Sequence, residues 1–302
     1  MVSERRLTAE ALRLLSTTDE ERLQSLQVCP FVSYNAAKAI RERLEQLLVQ
    51  QRSHRPASML IAGATNNGKT MLVRRFVDAH PFTDDPAAKS LEAQVLYIQM
   101  PPTPDPRQFY LAILDRLNSP VRRTAVLGQL QAQAIKLLSI VRVKILVVDE
   151  IHNIHGGRFE QQRSFLNLLR YISNENQVHL VCCGIATAVR ALQSDEQLAN
   201  RFEHWPLPKW RSNNTTRTLL NTIEMTVPLR EASHLSSTET MQQILRLSEG
   251  SIGEIVRLVS TAATEAIRSG KERIDASLLD ELRWIAPGDR RQVAERALGL
   301  AG

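Results

Sequence analysis

The sequence predicts an α/β fold: a parallel sheet between helices, built around a glycine-bearing loop and followed by a small helical domain. Three observations predict it. Short apolar runs at 59–62, 95–100, 145–148 and 180–183 alternate with helical stretches. Strands of that kind, separated by helices, form a parallel sheet covered on both faces. The first run leads directly into Gly63-Ala64-Thr65-Asn66-Asn67-Gly68-Lys69-Thr70, and a helix containing Leu72, Val73, Phe76 and Val77 follows. After Trp205-Pro206-Leu207-Pro208 the strands stop.

Taken in order, residues 1–56 read as an N-terminal segment of two amphipathic helices. Leu7, Ala11, Leu14 and Leu15 form one helical stripe, and Thr18 with Glu21 has the capping-box spacing ahead of Leu23 and Leu26. Beyond the break at Cys29-Pro30-Phe31, Ile40, Leu44, Leu47 and Leu48 repeat the spacing, and a polar linker runs over 50–56. Residues 57–210 form the α/β core. Residues 211–302 form a helical lid and tail, with helices near 214–225, 238–248, 253–269 and 277–285, the third ended by Gly270. There are no internal repeats and no low-complexity tract.

Composition narrows the class. A chain of 302 residues buries roughly 75% of its unfolded surface, enough for a core without staples. With 43% hydrophobic and 23% charged residues it reads as an ordinary soluble protein. The net charge of +6 and pI near 9.5 suit a polyanionic partner and a plain solvated surface about equally. Three cysteines, two of them adjacent at Cys182 and Cys183, fit a reducing compartment rather than a disulfide framework. The polar start at 1–10 has no signal-peptide core, and no apolar run approaches the ~20 residues of a membrane span. The expected location is the cytoplasm, without a membrane partner.

The segment Gly63 to Thr70 fits G-x-x-x-x-G-K-[ST], the phosphate-loop pattern. Its glycines let backbone N–H groups of Gly63, Ala64, Thr65, Asn66, Asn67 and Gly68 turn toward an anion, and the following helix adds its positive N-terminal end. Lys69 reaches the β/γ-phosphates of ATP, and the Thr70 hydroxyl takes Mg²⁺. The run Ile145-Leu146-Val147-Val148-Asp149-Glu150 delivers two carboxylates at the C-terminal end of a buried strand, where ligands sit in open α/β sheets. Asp149 is the second Mg²⁺ residue, and Glu150 is placed to orient and deprotonate the attacking water. Phe31, Val32 and Tyr34 read either as adenine-pocket walls or as a hydrophobic staple.

This arrangement resembles the AAA+ superfamily, with the Asp-Glu strand third in sequence and a helical lid after the sheet. Thr65-Asn66-Asn67-Gly68-Lys69-Thr70, Gln99-Met100-Pro101, Asp149-Glu150-Ile151-His152-Asn153, Phe165-Leu166-Asn167-Leu168-Leu169-Arg170 and Ser248-Glu249-Gly250-Ser251-Ile252-Gly253-Glu254 look like the TniB/TnsC family. These are regulator ATPases of Tn7-like and Tn5053-like transposons, related in role to the Mu B protein, and the resemblance runs from about Leu23 to about Arg291. It implies a homo-oligomeric ring or filament on double-stranded DNA, target-site selection, with or without a separate target-selection protein, and recruitment and activation of a DDE transposase. It also implies an arginine reaching a neighbouring subunit's nucleotide, matched here by Arg201, for which pairing with Glu203 or Asp195 is the alternative. In the family, polar and basic residues near the loop after the second strand face DNA; Thr103, Arg107, Arg122 and Arg123 are the corresponding choices.

Two positions depart from the wider pattern. The polar sensor residue after the fourth strand is replaced by apolar Cys182-Cys183-Gly184-Ile185, with Thr187 nearest. The lid arginine of a Gly-x-x-Arg turn is replaced by Gly253, with Arg257 one helical turn on. Such weak sensors suit slow, partner-dependent hydrolysis. Asp149-Glu150-Ile151-His152 also spells a helicase box, but the residues after Trp205 are too few and too helical for a second RecA-like domain. His152 and His155, three apart, lack further ligands at metal spacing, and a hydrogen-bonded structural His152 is the expectation. The competing functions are another DNA-associated AAA+ ATPase of initiator or helicase-loader type, and a P-loop switch acting on protein alone. Only about seventeen residues follow Ile285, too few for an initiator's winged helix.

Overall fold

The computed structural model describes residues 7–27, 31–82, 93–193 and 199–298. It begins with helices α1 (Ala9–Leu15), α2 (Asp19–Ser25) and α3 (Asn35–Val49). Then come β1 (Ser58–Gly63), α4 (Lys69–Asp78), β2 (Val95–Gln99), α5 (Pro106–Arg116) and α6 (Leu127–Ile140). Strand β3 (Ile145–Asp149) passes through a 3-10 turn (Ile151–Gly156) into α7 (Phe159–Asn176), followed by β4 (His179–Gly184), α8 (Ala186–Gln193) and β5 (Phe202–Leu207). The remainder is helical: α9 (Asn214–Thr226), α10 (Thr238–Ser248), α11 (Ile252–Arg268), α12 (Ala276–Glu281) and α13 (Arg290–Ala297).

Two compact units result. One comprises residues 36–64 and 68–207; the other comprises 1–35, 65–67 and 208–302. The sequence partition at 56/57 and 210/211 differs from this at the N-terminus. Residues 1–35 group with the C-terminal helices, where Leu23, Leu26 and Val32 pack into the core, and all of α3 but its first residue groups with the α/β unit. The N-terminal stretch also holds three helices rather than two, since the backbone at Ser16–Thr18 leaves helical geometry and Thr18 Oγ1 caps a new helix at the Glu21 N–H.

In the α/β unit the sheet order is β2-β3-β4-β1-β5. Every strand pair is parallel, with Met59 and Val147 both opposite Val181, and Gln99 opposite Asp149. Buried residues fill β3 along its whole length, which is what a central strand under helices on both faces requires. The four strands expected from apolar runs are present. The fifth, Phe-Glu-His-Trp-Pro-Leu, lies at the sheet edge beside β1. An edge strand tolerates proline and exposed polar residues, so it carried no apolar run by which to be recognised. Ser58 N donates to the Arg201 carbonyl at 3.1 Å, locking the start of β1 to the entry of β5.

The helical unit closes around Leu219, Leu220, Ile223, Ile244, Ile255, Leu258 and Val259, with Val32 packed among them. Its centre holds a charge. Arg22 is fully buried; its guanidinium donates to Glu272 Oε1 at 2.8 Å and to the Pro228 carbonyl at 2.7 Å. Burial alone would raise the Glu272 carboxyl, but the Arg22 bonds and the Arg230 N–H outweigh it and hold it below the usual range.

Removing one partner of such a pair leaves a buried ion uncompensated. Arg22→Ala should therefore lower the stability of this unit by about 3 kcal/mol, read by urea unfolding. A carboxyl with a depressed folded value contributes stability that is present above its unfolded value of about 4.3 and is lost as pH falls through the folded value. Wild-type protein should accordingly lose that increment below about pH 4, and Arg22→Ala should show a flatter acid limb.

Candidate nucleotide site

The phosphate loop follows β1, whose last residues Ala62 and Gly63 are less buried than the rest of the strand. Gly68 sits at φ 82°, ψ 3°, a left-handed conformation that glycine adopts without strain, and caps α4 directly behind it. Asn66 shares the positive φ, at 57°, which asparagine tolerates better than most residues. Lys69 is 6% exposed and donates from Nζ to the carbonyls of Gly63 (3.0 Å) and Ala64 (2.8 Å). Burial lowers its hold on the proton, while the carboxylates of Glu150 and Asp149 oppose that effect. A buried ammonium beside carboxylates, at a helix N-terminus, is a ready partner for phosphate. Thr70 follows it in the first turn of α4, half-buried.

Strand β3 ends in two carboxylates with different surroundings. Asp149 is 1% exposed; its Oδ1 accepts from the Glu150 N–H and its Oδ2 from the Tyr97 hydroxyl, each at 2.9 Å. Glu150 is half-buried and adopts φ 56°, ψ 35°. That left-handed turn costs a non-glycine residue on the order of 1 kcal/mol and ends the strand at this residue. Glu150 Oε2 lies 3.0 Å from His152 Nδ1, an ion-pair distance without hydrogen-bond alignment. His155 turns elsewhere, with Nε2 3.0 Å from the Thr187 carbonyl. The expectation of a hydrogen-bonded structural His152 gives way to a histidine set against Glu150, and the two histidines do not share a partner. Buried thiols Cys182 and Cys183 end β4 between β1 and β3, both pushed well above the usual thiol range by burial.

Buried or half-buried oxygens of Thr70 and Asp149, beside a lysine, make a hard donor set that suits Mg²⁺ rather than a softer metal. Val32 is packed into the helical unit's core, and Tyr34 meets Trp210 edge-to-face with centroids 5.1 Å apart. Phe31 is half-buried. Arg201 donates to Asn174 Oδ1 at 2.6 Å, and Glu203 pairs with Arg43. Asp195 lies outside the described residues.

Within the helical unit, the loop tip is tied to the start of α11. Gly253 N donates to the Asn66 carbonyl at 3.0 Å, Ser251 Oγ to the same carbonyl at 2.7 Å, and Asn66 Nδ2 to Glu254 Oε1 at 2.9 Å. Glu254 also accepts from Arg290 Nη1 at 3.0 Å. Arg290, then Asn66, hold this carboxyl below its usual range against the effect of burial. Arg257, one turn on from the expected lid-arginine position, stacks instead on Trp284, 5.4 Å from its centroid. Sequence reasoning missed Tyr97, Glu254 and Arg290. For Tyr97 the available signal was a phenol in an otherwise aliphatic strand.

The family model described as Bacterial TniB protein matches residues 22–212. No curated protein matches the chain. Among solved structures, the Aeropyrum pernix ORC1 protein in complex with DNA is similar at 20% identity and a TM-score of 0.60, covering 92% of this chain and 72% of that one. The ORC2 protein of the same organism, in ADPNP–ADP complexes, is 16% identical with a TM-score of 0.61, over 91% of this chain and 78% of that one. Cdc6p from Pyrobaculum aerophilum is 16% identical with a TM-score of 0.58, over 83% and 68% respectively. The shared fold is an α/β core with a parallel sheet, followed by C-terminal helices.

The tie at the loop tip explains why Gly253 carries no side chain. A Cβ there would lie 2.1 Å from Asn66 Oδ1 and 2.7 Å from the Asn66 carbonyl oxygen. Gly253→Ala should cost about 1–3 kcal/mol of stability through overpacking. In urea unfolding, Gly128→Ala, with nothing within 4 Å of the added methyl, should be neutral or slightly stabilising.

Proposed function

The chain belongs to the TniB family, and on that premise we propose that it is a Mg²⁺-dependent ATPase that assembles on double-stranded DNA and regulates transposition. The observation that carries the ATPase reading is a buried lysine on the phosphate loop within electrostatic reach of two successive carboxylates on β3. In this reading the loop N–H groups, the N-terminal end of α4 and Lys69 bind the phosphates. Thr70 and Asp149 hold Mg²⁺, which when bound neutralises charge on the phosphate oxygens. Glu150 orients a water and takes its proton as the oxygen attacks the γ-phosphorus and the bond to the ADP oxygen breaks. His152 stands beside that carboxylate. Arg201 acts on the nucleotide of a neighbouring subunit, so that hydrolysis depends on assembly. The further partners are a DDE transposase and, where one exists, a target-selection protein; the location is the cytoplasm. Among the described residues no helix is long and apolar enough to cross a membrane.

Glu150→Gln should retain ATP and hold the assembled state, whereas Lys69→Ala should lose nucleotide affinity. Hydrolysis by Glu150→Gln at the wild-type rate would remove Glu150 from its role. Arg201→Ala should bind nucleotide normally yet hydrolyse it slowly, and mixing it with Lys69→Ala should restore part of the activity, each supplying the half-site the other lacks.

DNA binding has its own support in surface chemistry. Thr103, Arg122 and Arg123 are exposed beside the proline-stiffened loop after β2. Arg107 donates to the Ala125 carbonyl at 2.6 Å, so it also fixes the loop that carries them. Asn153 Nδ2 donates to the Met100 carbonyl at 3.2 Å, joining that loop to the 3-10 turn, beyond which Arg158, Arg163 and a 70% exposed Phe159 begin α7. Cations in this setting bind phosphate without reading sequence. Arg122→Ala/Arg123→Ala should weaken binding on every duplex tested and reduce the salt slope by about 2, one for each arginine–phosphate pairing removed, leaving ATP binding unchanged. An unchanged slope would take these residues off the surface. Retention of wild-type protein on DNA only with ATP separates this function from a switch acting on protein alone.

A further inference from the structure

Strand β2 is aliphatic at Val95, Leu96 and Ile98 but carries a phenol at Tyr97, whose ring is 8% exposed. A buried hydroxyl must be paired, and this one donates to Asp149 Oδ2 at 2.9 Å. A phenylalanine would fill the same space, so packing does not account for the oxygen. On the other side of the ring lies Arg74, its Cζ 5.1 Å from the ring centroid. Arg74 stands in α4 four residues after Thr70, a spacing that places both on one helical face. The contacts thus run from the helix bearing Thr70, through Arg74 and Tyr97, to the strand bearing Asp149. They bridge the two elements that supply the metal oxygens.

Resting on the assignment of Thr70 and Asp149 as Mg²⁺ residues, we infer that Tyr97, braced by Arg74, is a positioning residue that sets the Asp149 carboxylate for the metal. The Tyr97 O–H and the Glu150 N–H each occupy one lone pair, on opposite oxygens of Asp149. The carboxylate is thereby fixed in rotation while its remaining lone pairs stay open. The brace gives the edge strand, which supplies no phosphate or metal ligand, a hold on metal affinity.

The test is Mg²⁺ titration of binding of a non-hydrolysable ATP analogue, followed by fluorescence, with EDTA for the metal-free affinity. Tyr97→Phe keeps the ring and removes only the hydroxyl. It should raise the Mg²⁺ midpoint about tenfold, the usual loss when a hydrogen bond to a metal ligand is removed. Its metal-free affinity should stay within about twofold and its melting temperature near wild type. Arg74→Gln should shift the midpoint in the same direction by less. A Tyr97→Phe midpoint equal to wild type, or an equal fall with and without metal, overturns the inference. Asp149→Asn separates the two levels: if it does not move the midpoint, the metal assignment itself fails. If it moves the midpoint and Tyr97→Phe does not, only the brace fails.

Discussion

The Lys69 ammonium is nearly sealed from solvent, and a charge in that position has to be answered on every side. Two loop carbonyls accept its hydrogen bonds, and the carboxylates at the end of β3 answer its charge. Sheet order makes this possible. Because β4 lies between β1 and β3, the phosphate loop and the two carboxylates are separated by one strand's width. Whatever ends β4 sits amid these charges. The residues there are Cys182, Cys183 and Gly184, and burial keeps both thiols protonated, so the strand adds bulk without charge. The polar residue expected at this point is absent, and the compensation of Lys69 is carried by Asp149 and Glu150 instead.

How far the sequence disclosed this depends on whether the signal was local. The phosphate loop and the Asp-Glu strand were legible because each combines a short motif with an apolar run that fixes its context. The lid helices at 214–226, 238–248 and 252–268 were legible from 3.6-residue spacing, and their observed limits fall within a residue or two of that reading. Strand β5 was not, because an edge strand beside β1 needs backbone pairing more than apolar side chains, and Trp205-Pro206 reads as a break. Helix α13 has no buried residue and so no stripe to find.

Long-range polar contacts were the least legible of all. The stripe Leu23–Leu26 showed that α2 buries a face, but not that it packs against helices near the other end of the chain. Arg22 reads from sequence as a surface charge, yet it is among the largest fully buried side chains and meets Glu272 across 250 positions. Likewise the sequence offered Arg257 as the lid cation. The structure gives Arg257 to Trp284 and sets Arg290, from a segment read only as a tail, on the carboxylate that grips Asn66. In both cases the partner lies in a distant non-helical segment, Glu272 for Arg22 and Trp284 for Arg257, which position along one helix does not reveal.

The adjacent carboxylates show how one backbone turn separates two kinds of chemistry. Had β3 continued extended, Glu150 would have pointed to the face opposite Asp149, as successive strand residues do. The left-handed turn at Glu150 ends the strand and starts the 3-10 helix, leaving this carboxylate half-exposed against His152. Asp149, the last residue of the extended run, stays buried with a neutral donor on each oxygen. The carboxylate that is fixed suits holding a cation; the one with a single loosely aligned neighbour retains room to reorient. The division follows from where the strand stops rather than from the residue types, which differ by one methylene.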